Sequence, residues 1–269
     1  MIMTALGLIQ FTDPHLFGGA GDSLRGIATL PSLKATLAHA QSGQAWPPDA
    51  VLVTGDIVQH DPAGYRHFRA VFAPLCVPVL CLPGNHDDPA AMRRELAAEP
   101  FILGGHVDMK GWRIVLLNSH VADAAHGTLA ASELERLTGA LATAGELHCL
   151  VCLHHHPVPM GCRWLDTVPL TNAAEFWERI EPHHPQVRAV LWGHVHQAYD
   201  GERQGVRLMA TPSTGAQFLP GADSFAIDAR PPGYRTLELG ADGSVRTQVV
   251  WLAGFAGRPE SAQHASQRA

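Results

Sequence analysis

Five short motifs in this 269-residue chain combine carboxylate, imidazole and amide side chains. They are Asp13-x-His15, Gly55-Asp56, Gly84-Asn85-His86-Asp87, the run His154-His155-His156, and Gly193-His194-x-His196. Such donors are hard to borderline, the kind that divalent first-row metals take from proteins. Seven or so exceed what one tetrahedral ion accepts, but suit two ions sharing a bridging carboxylate. Two ions about 3.5–4 Å apart can clamp the attacking and leaving oxygens of an in-line phosphoryl displacement. They also lower the pKa of a bridging water, so that hydroxide is present at neutral pH. Glycines before Asp56, Asn85 and His194 permit tight turns that bring a ligand close to the backbone.

Taken singly, most of these motifs have ordinary explanations. Asp13 precedes a proline, and Asn and Asp favour loops anyway. Three consecutive histidines after an apolar run are harder to explain structurally. The specific signal is the set, because each motif follows a strand-like run: Ala5–Phe11, Ala50–Val53, Val79–Leu82, Leu147–Leu153 and Arg188–Trp192. In open α/β sheets, ligands bind in the loops beyond the carboxyl ends of strands.

Helical patterns separate the runs. One covers Pro31–Gln41. Asp61-Pro62 and Asp88-Pro89 each pair a cap with a proline at the first helical position. Tyr65, Phe68 and Phe72 then share a face, as do Leu134, Leu137 and Leu141, and Asn172–Ile180 is a further helix. After Trp192 the pattern is all-β, with strands at Val206–Ala210, Phe225–Asp228, Tyr234–Leu239 and Ser244–Trp251. No linker is visible, so residues 1–253 read as one domain and 254–269 as a polar, frayed tail. Two β-rich halves with helices outside predict an α/β fold with four layers, an α/β/β/α sandwich.

Composition narrows the partners. Nineteen Lys+Arg against 25 Asp+Glu leave a net charge of −6 and no basic stripe, which argues against nucleic acid. An anionic phosphate still fits, because the local positive charge would belong to the metals. No apolar run reaches the roughly 18 residues of a spanning helix, so no membrane is expected. The first residues read as a strand without the basic region of a signal peptide, which predicts a cytoplasmic protein. Five cysteines are an odd number for a disulfide framework. Cys149 and Cys152, three apart on a strand, point to opposite faces and read as buried thiols. Histidine, with 17 residues, is over-used, and His120 and His126 follow a strand where they could line a cleft. Neither a Gly-x-Ser-x-Gly elbow nor a Gly-rich P-loop is present.

The ordered set from Asp13 to His196 resembles the calcineurin-like metallophosphoesterase signature. His154-His155-His156-Pro157 through Gly161 to Trp164-Leu165-Asp166, Thr211-Pro212-Ser213-Thr214 with Gln217-Phe218, and Pro232–Leu239 are similar to bacterial 3′,5′-cyclic-AMP phosphodiesterases. The resemblance runs to about Leu252. It implies one metal held by Asp13, His15, Asp56 and His196, and a second held by Asp56, Asn85, His155 and His194. His155 is chosen on the family pattern of a ligand His followed by His-Pro, and strand alternation would turn His154 and His156 away from it. The resemblance further implies catalytic roles for Asp56, as the bridge, and for His86, which would protonate or stabilise the leaving oxygen. His15, Asn85 and His86 would also face substrate. His156, Trp164, Asp166 and the Ser213–Phe218 stretch are candidates for the nucleotide side of the cleft.

The implied reaction is hydrolysis of 3′,5′-cyclic AMP to 5′-AMP, by in-line attack of a metal-bridging hydroxide. Two transition-metal ions are the implied cofactors, Fe or Mn first, with Zn or Co as options. The partner is a small cyclic nucleotide; oligomeric state is left open. Rival readings are a phosphodiesterase acting on a glycerophosphodiester or 2′,3′-cyclic nucleotide, and a non-catalytic binding scaffold. The scaffold should have lost ligands, and this chain has all seven.

Overall fold

The computed structural model describes residues 5–255, so residues 256–269 of the expected tail lie outside the described residues. In chain order the first half contains β1 (Leu6–Phe11), β2 (Ser23–Leu24), β3 (Ile27–Ala28), α1 (Thr29–Gln41), β4 (Ala50–Thr54), α2 (Tyr65–Phe72), β5 (Val79–Leu82), α3 (Pro89–Glu95), β6 (Phe101–Leu103), β7 (Gly105–Met109) and β8 (Trp112–Leu116). The second half contains α4 (Ala131–Ala142), β9 (His148–Cys152), α5 (Ala173–Ile180), β10 (Val187–Trp192), β11 (Tyr199–Arg203), β12 (Val206–Ala210), β13 (Gln217–Phe218), β14 (Ile227–Asp228), β15 (Gly233–Leu239) and β16 (Val245–Trp251).

Two six-stranded sheets result, ordered β16-β15-β1-β4-β5-β6 and β11-β12-β10-β9-β8-β7. Neighbours from β1 to β6 run parallel in the first sheet, and β8, β9, β10 and β12 run parallel in the second. Parallel strands buried on both faces read as continuous apolar runs, which is how these central strands appear in the sequence. Period-2 alternation then sorts side chains into layers. Leu6 and Leu8 of β1 join Ile114, Leu150 and Leu191 between the sheets. Ile9 and Phe11 of β1 turn outward onto Leu33, Phe68 and Phe72 of α1 and α2. On the opposite outer face, Leu137 of α4 and Phe176 of α5 cover Val151 and Val190. The layers are therefore α/β/β/α, as the sequence predicts. Cys149 belongs to the outer cluster and Cys152 to the inter-sheet one, so the pair faces opposite ways.

The strands missing from the sequence reading are short or lie at edges. β7 and β11 are edge strands with half-exposed, polar-rich sequences, so they lack the apolar signal of the centre. One boundary matters for the site: β9 ends at Cys152, which leaves His154–His156 in the loop beyond it.

Where the two sheets meet near these loops, a buried polar network ties them together. Gln10 Nε2 of β1 donates to Thr54 Oγ1 at 2.8 Å and to the carbonyl of Trp192 in the other sheet at 3.3 Å. Arg235 of β15, 1% exposed, crosses to the second sheet. Its guanidinium donates to the Ala210 carbonyl at 2.8 Å and the Tyr199 carbonyl at 3.0 Å. Replacing it by an apolar residue orphans those buried carbonyls. R235M is expected to lose about 2–4 kcal/mol of stability, read as a lower denaturant midpoint at unchanged slope.

Candidate metal centre

The five loops meet at one end of the sandwich, and their backbone is unusual. Asp13, His15, Asp56, His194 and His196 all adopt positive φ, between 46° and 67°. Non-glycine residues there are strained, and such strain concentrates at functional sites. The turns are packed too closely for larger residues: a Cβ on Gly84 would lie 2.5 Å from the Asp56 backbone nitrogen and 2.6 Å from the His154 ring.

One donor cluster centres on Asp13, His15 and His196, all buried. His196 Nε2 is 3.4 Å from Asp13 Oδ1 and 3.1 Å from His15 Nε2. His15 Nε2 is in turn 3.7 Å from Asp56 Oδ2. The far ring nitrogens hold the tautomers: His15 Nδ1 donates to Gln59 Oε1 at 2.6 Å, and His196 Nδ1 to the Ala216 carbonyl at 2.7 Å. Each ring thereby turns a lone pair toward the cluster, the arrangement seen for metal-ligating imidazoles. The Asp13 carboxylate is fixed by Thr12 Oγ1 at 2.7 Å and by the His194 backbone N–H at 3.1 Å.

The second cluster lies across Asp56. His154 Nε2 is 3.3 Å from Asp56 Oδ2 and 3.2 Å from Asn85 Oδ1, while its Nδ1 donates to the Thr54 carbonyl at 2.7 Å. His155 and His194 offer ring nitrogens in the same group. His194 Nε2 donates to the Val168 carbonyl at 3.1 Å. His155 Nδ1 sits 2.8 Å from Ser119 Oγ, and its buried Nε2 has no hydrogen-bond partner among the described residues. Strand alternation does not turn His154 away, because these histidines lie past the end of β9, where the period-2 rule no longer applies. It is His154, not His155, that stands at the Asp56–Asn85 corner.

The donor set fits metal. Asp13 and Asp56 are buried, and the ion-pair partners of both among the described residues are imidazoles. Buried carboxylates of this kind need pairing or a metal. Burial pushes His15 down to about 3 and holds His155 and His194 well below the usual imidazole range. Neutral imidazole is the metal-binding form. Burial opposes charge on His154 as well, but Asp56 and Asp13 outweigh it and raise it to about 9. The loops after β4 and β5 are locked by Asp87, which accepts from the backbone of Ile57, Val58 and Gly84 and from the Tyr65 hydroxyl.

Around the clusters, His86 lines a cavity of about 390 Å3 together with Trp164, Phe218 and Phe225. His86 Nδ1 is 2.7 Å from His60 Nε2, and both face a second space of about 580 Å3 that His120 also lines. Other nucleotide-side candidates lie elsewhere. His156 is fully buried, stacked on His194 at 5.7 Å. Asp166 is occupied by the Met160 and Gly161 backbone N–H groups, at 2.7 and 3.1 Å. Asp166 thereby braces the loop that carries Trp164. In the Ser213–Phe218 stretch, Ser213 and Gln217 are also braces: Ser213 Oγ donates to the Asp13 carbonyl at 2.7 Å, and Gln217 Nε2 to Ser213 and Gly215. Only Phe218 of that stretch lines the cavity. Sequence reasoning missed Gln59, His60, Ser119, Arg25 and Phe225. The first two follow the Gly55-Asp56 motif within four residues, the one local signal available.

Comparison with known proteins agrees with this geometry. The protein "3′,5′-cyclic adenosine monophosphate phosphodiesterase CpdA" of Pseudomonas aeruginosa is 40% identical over 243 residues, spanning 90% of this chain and 88% of that protein. The Escherichia coli K12 protein of the same name is 40% identical over 257 residues, 95% of this chain and 93% of that one. Among solved structures, a dimetal phosphatase from Danio rerio superposes with a TM-score of 0.63 at 14% identity, covering 93% of this chain and all of the other. Purple acid phosphatase PPD1 from yellow lupin gives 0.61 at 14% identity, covering 96% of this chain and 53% of that one. At such identities these two show the fold alone. The calcineurin-like phosphoesterase family model matches residues 7–198, and that family implies a dinuclear divalent metal site. This chain belongs to the calcineurin-like phosphoesterase family.

Proposed function

We propose that the chain hydrolyses 3′,5′-cyclic AMP to 5′-AMP. The observation that carries this reading is that both donor clusters open into one cavity walled by aromatic rings. Its volume of about 390 Å3 lies within the small-ligand range of about 300–1,000 Å3. The names of the 40%-identical relatives support the same substrate. The inter-sheet core, which joins residues from Leu6 to Leu239, supports reading 1–253 as one catalytic domain.

Asp13, His15, Asp56 and His196 would hold one ion. Asp56, Asn85, His194 and His154 would hold the other, with the sequence candidate His155 beside them. Fe or Mn is the proposed metal, since mixed carboxylate, imidazole and amide donors suit either. Bound there, two such ions supply Lewis acidity and lower the pKa of water. In the reaction, water oxygen bonds to phosphorus and gives up a proton to solvent, the bond from phosphorus to O3′ breaks, and a proton reaches O3′. His86, exposed to the cavity, is the proposed donor of that proton, and His60 orients its ring through Nδ1. Trp164 and Phe218 exclude water from the opposite side. Five unpaired thiols fit a reducing, cytoplasmic setting.

The direct test is chelator-stripped protein given back Mn or Fe, with product analysis on 3′,5′-cyclic AMP. Metal-dependent release of 5′-AMP is expected. Turnover of an aryl phosphodiester with none on cyclic AMP would keep the metal centre and overturn the substrate.

Ligand assignment is tested by metal content. H154A is expected to carry one ion fewer per chain than the parent protein, and H155A to keep both. The reverse result would move the ligand to His155.

For the proton donor, H86A is expected to lower kcat by about 10²–10⁴-fold, the range of general acid catalysis. H60A should lower kcat less and leave KM nearly unchanged. A KM effect in H60A with kcat intact would show that His60 serves binding and does not orient His86.

A further inference from the structure

The far wall of the cavity contains a residue that the metal chemistry does not use. β2 and β3 form a two-residue hairpin whose central residues, Arg25 and Gly26, have φ of 51° and 78°. Two positive φ values in sequence define a type I′ turn, and Gly26 meets the second at no steric cost. The turn presents Arg25, half-buried, to the same cavity that His15, Asp56, Asn85 and His86 line. Its guanidinium lies 4.8 Å from the centre of the Phe225 ring. Among the described residues this ring is its one recorded partner, so its N–H donors remain available.

Phe225 belongs to an aromatic corner. Trp164, Phe218 and Phe225 meet pairwise edge to face, with centroids 5.1–5.3 Å apart. The Trp164 Nε1–H is buried and has no hydrogen-bond partner among the described residues. Phe218 also lies flat on the His196 ring, 4.0 Å between centroids at 4°. The corner is thus joined directly to the donor clusters at one end and reaches Arg25 at the other. A flat heteroaromatic ring bonded through a sugar to a phosphate matches that sequence of surfaces. Aromatic rings stack nucleobases, and a guanidinium can both stack on a base and donate to its ring nitrogens.

We propose that Arg25 and the Trp164–Phe218–Phe225 corner form a purine nucleobase subsite in which Arg25 is the specificity-determining residue. The proposal rests on the cyclic-nucleotide reading above and adds where the base is held. It requires that Arg25 act on ligands that carry a base and not on the phosphate alone.

The test is equilibrium binding to the Mn-loaded protein, using 5′-AMP and inorganic phosphate as separate probes. For R25A we expect the Kd for 5′-AMP to rise about tenfold while that for phosphate stays within twofold. R25K, which keeps the charge but loses the planar fork, should behave closer to R25A than to the parent protein. In turnover, the ratio of kcat/KM on cyclic AMP to that on an aryl phosphodiester should fall in step. Parent-like 5′-AMP binding by R25A would overturn the proposal. So would an equal loss of 5′-AMP and phosphate, which would place Arg25 at the phosphate. Failure of the parent protein itself to bind 5′-AMP, with aryl diester turnover intact, would overturn the cyclic-AMP reading and this subsite together.

Discussion

A carboxylate buried to 2% exposure between two sheets must be compensated, and Asp56 is compensated by imidazoles. His15 and His154 both approach its Oδ2, so the carboxylate stands where the two donor clusters meet. Burial raises the energy of its charge, and the histidines around it hold it well below the usual carboxylate range. The remaining site geometry follows from keeping that charge in place. The His86 backbone N–H fixes Oδ1 at 2.8 Å, which leaves Oδ2 for the clusters. The outer nitrogens of His15 and His196 are bound to fixed acceptors, so their inner lone pairs have one direction, and the bond from His154 Nδ1 to the Thr54 carbonyl aims its Nε2 at Asp56.

Such a centre needs a frame that resists relaxation. Five of its residues occupy the left-handed region, each at a cost of about 1–3 kcal/mol. The strands that end in these turns are central and buried on both faces, and the Gln10–Thr54–Trp192 hydrogen bonds clamp the two sheets directly behind the turns. Asp87 performs the same task within the first sheet by joining the loops after β4 and β5. Strain in the turns is therefore offset by burial and hydrogen bonding a few ångströms away.

The site is asymmetric in chemistry. Carboxylates and imidazoles crowd one side, where charge has to be managed. Aromatic rings and one guanidinium make up the other, where flat apolar surface can be recognised. Phe218 joins the two, since it stacks on His196 and also shapes the cavity wall. His86 stands at the rim of both cavities and is held by His60, so its ring is oriented without being enclosed.

The amino-acid pattern alone dictates the architecture and the donor types. Apolar runs ending in Asp, Asn or His, in one order, are enough for a four-layer α/β fold with its site at the strand ends. This works because alternation and burial act locally along each strand. It did not determine which of His154, His155 and His156 faces Asp56. Those residues lie beyond the strand, where the direction of a side chain is set by the loop and by acceptors such as the Thr54 carbonyl, 100 residues away. The edge strands β7 and β11 were illegible because solvent on one side removes the apolar pattern. The roles of Gln59, Ser119 and Arg25 became visible only in the tertiary structure. Each acts through a contact with a residue far along the chain, such as Ser119 with His155 or Arg25 with Phe225, and no local pattern encodes such a meeting.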